Sequence, residues 1–94
     1  MKRVLLTLAY DGTNYHGWQV QPNGITVQEC VQNALLRLLG TRPALTGCSR
    51  TDAGVHARQF CCHLDCDDSL PDAAFIRGLN SILPDDVAVV ACRE

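Results

Sequence analysis

The side chains best able to do chemistry are concentrated in one stretch, Cys48-Ser49-Arg50-Thr51-Asp52-Ala53-Gly54-Val55-His56-Ala57. A guanidinium, a hydroxyl, a carboxylate and an imidazole (Arg50, Thr51, Asp52, His56) crowd around Gly54, which accepts positive φ at no steric cost. A short apolar run ends here, the pattern of a strand entering a turn that displays side chains. If the extended geometry persists through Thr51, Arg50 and Asp52 project from one face and pair. A carboxylate held this way can attack an electron-poor carbon, stabilise positive charge developing on it, or carry a proton. The structural alternative is an Asx-turn, in which Asp52 bonds only its own backbone near Gly54. His56 is open between support of the turn and an acid or base role.

The rest of the chain reads as the scaffold for this turn. Residues 3 to 10 are apolar on both faces and are expected to form a central strand buried on both sides. A loop dense in Gly, Asn and aromatic residues follows, from Tyr10-Asp11-Gly12 to Gly24, and includes Trp18, Gln19 and Gln21. Loops of this length are often functional. Trp18 is read as an anchor to the core in preference to a base-stacking platform.

From Thr26 the period becomes helical, with Val27, Cys30, Val31, Ala34, Leu35, Leu38 and Leu39 on one stripe. Thr26 and Glu29 read as a capping box and Gly40 as the stop. A strand over Leu45 to Arg50 and another over Ala57 to Asp65, with Phe60, Cys62 and Leu64 on one face, flank the Asp52 turn as a hairpin would. The acidic run 65 to 68 reads as a solvated link. A second helix starts around Ser69, Pro71 and Asp72, turns Phe75, Leu79, Ile82 and Leu83 inward and ends at Pro84. Val87 to Ala91 is a last strand. The fold class is thus α+β, a ferredoxin-like β-α-β-β-α-β domain: an antiparallel four-stranded sheet with two helices on one face.

Composition bounds the function. The 94 residues make one domain, 47% hydrophobic and 19% charged, and a chain this short buries roughly two-thirds of its unfolded surface. No apolar run approaches the roughly 18 residues that span a membrane. The N-terminal apolar run has two basic residues before it but passes into Tyr10-Asp11-Gly12 without a small-residue cleavage site, so it reads as a strand and the protein as cytoplasmic. Six cysteines without a credible leader favour reduced thiols, and with no Cys-x-x-Cys spacing no metal is expected. Cys61, Cys62 and Cys66 are read as small buried hydrophobes. The net charge of −2 argues mildly against tight RNA binding by this chain alone. A local patch of Lys2, Arg3, Arg50 and Arg58 on one face would offset that.

Arg50-Thr51-Asp52-Ala53-Gly54-Val55-His56 resembles the signature of the TruA family of tRNA pseudouridine synthases, Gly/Ser-Arg-Thr-Asp-Ala-Gly-Val-His. Two further segments resemble the same family. Tyr10-Asp11-Gly12, Tyr15, Gly17-Trp18-Gln19 and Gln21 match Tyr-Asp-Gly-x-x-Tyr/Phe-x-Gly-Trp-Gln-x-Gln, and Leu79-Asn80, Leu83-Pro84, Asp86-Val87 and Val89 match Leu-Asn-x-x-Leu-Pro-x-Asp-Ile/Val-x-Val. The resemblance therefore covers essentially the whole chain.

By that resemblance Asp52 is the essential aspartate, and Arg50, Thr51, His56, Gln19 and Gln21 face the substrate. Tyr10, Asp11, Gly12, Trp18 and Gly54 support them. The implied reaction breaks the bond between uracil N1 and ribose C1′, rotates the base and joins C5 to C1′. No group is gained or lost, so no cofactor and no metal is implied. The implied substrate is the tRNA anticodon stem-loop, whose uridine must leave the stack to meet Asp52. Intact relatives are homodimers and more than twice as long, so the chain is expected to be the N-terminal half of the catalytic fold, folded but with little activity alone. It departs from many relatives at Gln59-Phe60, where a Gly-Gln pair precedes the strand. The rival reading is a stand-alone ferredoxin-like RNA-binding or structural module, which should carry aromatics on its central strands to stack bases. Only Tyr10 and Phe60 are available there.

Overall fold

The computed structural model describes residues 2–22, 24–48, 56–66 and 71–93. Strand β1 (Lys2–Tyr10), a 3-10 turn at Gly12–Asn14, helix α1 (Val27–Leu39), strands β2 (Leu45–Gly47) and β3 (Ala57–Cys66), helix α2 (Asp72–Ile82) and strand β4 (Val87–Arg93) follow in order. Every strand pairing is antiparallel and the sheet runs β2-β3-β1-β4. This is the expected ferredoxin-like arrangement, with β1 and β3 central.

Period-two alternation decides which face of the sheet the helices cover. Val4, Leu6, Leu8 and Tyr10 of β1 and Phe60, Cys62, Leu64 and Cys66 of β3 are buried in one core with Val31, Leu35, Phe75 and Leu79 of the helices. Each fully buried Leu, Val or Phe contributes about 1.5–3 kcal/mol. The expectation that β1 is buried on both sides holds for one face only. Leu5, Thr7 and Ala9 are half-buried, because both helices lie on one side and no described element covers the other.

Helix α1 forms where its local signals place it. The Thr26 hydroxyl accepts from the Glu29 amide at 3.3 Å, and Gly40 stops the helix in the left-handed region at φ 79°. Helix α2 begins after Pro71 without a side-chain cap, and Leu83, followed by Pro84, ends it; Ser69 lies outside the described residues. The two helices pack closely because Gly78 has no side chain: a Cβ there would stand 2.7 Å from Leu38 Cδ1.

Strand β3 extends to Cys66 and β4 to Arg93, beyond the expected ends. Strand β2 spans Leu45–Gly47, and the Cys48 amide just beyond it donates to the Cys61 carbonyl at 2.9 Å; Ser49 and Arg50, part of the expected strand, lie outside the described residues. Cys61 is exposed, contrary to its reading as a buried hydrophobe, because it alternates with Cys62 across the sheet. Cys62 is buried, and that burial pushes its thiol pKa up to about 12. Of the expected basic face, Arg50 lies outside the described residues, and Arg3 and Arg58 stand at opposite ends of the β1–β3 ladder. Arg3 sits at the start of β1, paired with Asp65 across the ladder at 3.0 Å. Arg58 sits at the start of β3, beside the far end of β1.

Candidate functional site

Antiparallel pairing brings the end of β1 against the starts of both β3 and β4: Tyr10 faces Ala57 on one side and Val87 on the other. An open cleft of about 420 Å³ lies there, lined among others by Asp11, His56, Arg58, Asp85 and Asp86. Residues 49–55 join β2 to His56 at its rim. Arg50, Thr51, Asp52 and Gly54 lie outside the described residues, while Cys48 and His56 on either side are within them.

The loop after β1 is tied down at each step. The Asp11 amide donates to the Asp86 carbonyl at 2.9 Å. Asp11 Oδ1 accepts from the Thr13 amide at 3.0 Å and the Thr13 hydroxyl at 2.6 Å. These bonds hold Asp11 below the usual carboxylate range. The buried Gly12 amide donates to His56 Nδ1 at 2.9 Å. Asp11 Oδ1 lies 3.1 Å from the same nitrogen.

Further along, the Tyr15 hydroxyl donates to Asp86 Oδ1 at 2.6 Å. Burial first, and this bond second, raise the Tyr15 pKa well above its ordinary value. Trp18, 2% exposed, packs against Phe60 with ring centroids 4.4 Å apart. Gln28 in the first turn of α1 accepts from the Val20 amide at 2.8 Å and donates to the Leu45 carbonyl at 2.7 Å, joining loop, helix and β2. Gln21 donates from its side chain to the His16 carbonyl, and Gln19 is exposed.

Sequence reasoning overlooked Gln28 and the Tyr15–Asp86 bond. Neither leaves a local signal, since the partners are 17 and 71 residues apart. Tyr10 and Phe60, the two aromatics of the central strands, are each 4% exposed within the helix-side core. Among the described lining residues three carboxylates (Asp11, Asp85, Asp86) stand against the one guanidinium of Arg58.

Described parts of the three motif segments line the cleft: Tyr10 and Asp11 from the first, His56 and Ala57 from the second and Asp86 from the third. The whole chain is 53% identical over 94 residues to the tRNA pseudouridine synthase A of Pelobacter propionicus. It is 51% identical over the same span to that of Ruminiclostridium cellulolyticum and 52% to that of Geobacter sulfurreducens. The chain belongs to the TruA family. It spans about 38% of the length of these TruA relatives while being covered by them completely. No family model matches it. Among the described residues of this TruA-family chain, no helix is long and apolar enough to cross a membrane.

Proposed function

We propose that the whole protein is a tRNA pseudouridine synthase that isomerises uridine in the anticodon stem-loop, with Asp52 as its catalytic carboxylate. The observation that carries this reading is that Tyr10 and Asp11, His56, and Asp86, described residues of three TruA-like segments distant in sequence, line one cleft at the end of β1 and the starts of β3 and β4. Asp52 stands four residues before His56, which lines that cleft. Its carboxylate engages the ribose of a flipped uridine while the glycosidic bond breaks and the uracil turns to present C5. Arg50 keeps Asp52 ionised, and Thr51, His56, Gln19 and Gln21 contact the RNA. Thr13 and Tyr15 donate to the carboxylates of Asp11 and Asp86, and phosphate neutralisation, which needs cations, falls to Arg50, Arg58 and residues outside this chain.

The same reading makes this chain the N-terminal half of the catalytic fold. The intact protein works in the cytoplasm as a homodimer, and the half alone folds with little turnover. The experiment is tritium release from C5 of uridine in tRNA by the full-length protein and its Asp52→Asn variant. Release by the parent, lost in the variant with tRNA binding retained, supports the proposal. A parent that releases none, or a variant as active as the parent, overturns it.

A further inference from the structure

His56 carries more than one contact on a single nitrogen, and those contacts compete. The Gly12 amide has one hydrogen and directs it at Nδ1 from 2.9 Å, which requires a lone pair there. Asp11 Oδ1, 3.1 Å from the same atom, would instead require a proton on it. Nδ1 cannot satisfy both. Gly12 is buried, and its amide has no other partner among the described contacts, so leaving it unpaired is costly. Asp11 is exposed and already accepts two hydrogen bonds from Thr13. The Gly12 contact therefore wins, and the ring proton resides on Nε2.

We infer that His56 is a positioning residue held in this one tautomer, its Nδ1 tying the end of the Asp52 segment to the loop after β1. Resting on the proposed function, this deepens it. Nε2–H becomes the ring's donor toward RNA in the cleft, and a neutral imidazole protonated at Nε2 has no lone pair there to act as a general base. The two nitrogens thus divide the work: Nδ1 sets the geometry of the loop, and Nε2–H meets an oxygen of the substrate. Arg58, Asp85 and Asp86 line the same cleft, and among the described residues Asp11, at 3.1 Å, is the charged group nearest to Nδ1.

Three substitutions in the full-length protein separate the nitrogens. His56→Asn places an amide oxygen where Nδ1 stands, His56→Gln places its amide near Nε2, and His56→Ala removes both. Loss of the tether misplaces the loop, so Ala and Gln are expected to lower kcat on the order of a hundredfold. Asn is expected to recover most of that kcat with a raised KM. Recovery by Gln in place of Asn, or equal effects of all three, would overturn the inference.

A readout independent of catalysis is the ring nitrogen spectrum of the full-length protein at neutral pH. Nδ1 should be unprotonated and coupled to the Gly12 amide, whose hydrogen exchange should be slow in the parent and in His56→Asn and fast in His56→Gln. A proton on Nδ1 would overturn the assignment. Should the full-length protein release no tritium from tRNA, the functional proposal falls while the ring spectrum still decides this one.

Discussion

The indole of Trp18 and the ring of Phe60 pack with centroids 4.4 Å apart and planes inclined by 35°. Together they close over Gly47 in β2. The contact joins the loop after β1 to the two strands that lead into and out of residues 49–55. It depends on the missing side chain at position 47.

A Cβ at Gly47 would stand 2.5 Å from Trp18 Nε1 and 2.9 Å from Phe60 Cζ. Both rings are wedged in the core, so neither can swing aside freely. Gly47→Ala is expected to destabilise the fold by about 1–3 kcal/mol, the usual cost of overpacking. Equilibrium urea unfolding checks it, and an unchanged midpoint would show that the rings can give way.

Tyr15→Phe removes the bond that ties the loop to Asp86 and leaves the ring in place. A hydrogen bond to a charged group contributes about 1.5–3 kcal/mol, so the variant should lose stability within that range at neutral pH. The pH dependence has a definite sign. The folded-state pKa of Tyr15 lies above its ordinary value of 10.0, so the folded state retains a proton that the unfolded chain releases. Its contribution is fully present below the ordinary value and declines as pH rises above it. Unfolding midpoints across the alkaline range should fall less steeply for Tyr15→Phe than for the parent.

Asn80 of α2 holds both backbone groups of Val89 in edge strand β4: its side-chain nitrogen donates to the Val89 carbonyl at 2.9 Å, and its oxygen accepts from the Val89 amide at 2.8 Å. The amide substitutes for a neighbouring strand. Asn80→Leu keeps the bulk and orphans both groups, at about 1–3 kcal/mol each. Asn80→Asp keeps the acceptor but sets a carboxylate against the Val89 carbonyl, and should also destabilise. Hydrogen exchange at Val89 gives the local readout, and protection equal to the parent's would remove the assignment.

The parts of the fold legible in the sequence are those governed by near neighbours. Helix α1 was readable from Thr26 to Gly40 because cap, period and stop all act within a few residues. The faces of β3 followed from alternation, which placed Phe60, Cys62 and Leu64 inside. Cys61 was misread because composition was allowed to override that same alternation. The two-sided burial of β1 was misread because an apolar outer face looks the same in sequence whether or not a layer covers it. At the site, the motif residues were legible as a cluster of chemistry. The bond from the Gly12 amide to His56, 44 residues away, was not.

The sequence by itself determined the order of the elements, where α1 begins and ends, and which chemical groups stand in the segment between β2 and β3. These follow from torsional preference, capping and side-chain periodicity, all short in range. Only the tertiary structure decided that Tyr10, Asp11, His56, Ala57 and Asp86 share one cleft, and that the Gly12 amide donates to Nδ1 of His56. Both depend on strand order and register. Those are set by burying one face of the whole sheet under two helices, which no local stretch of the chain can specify.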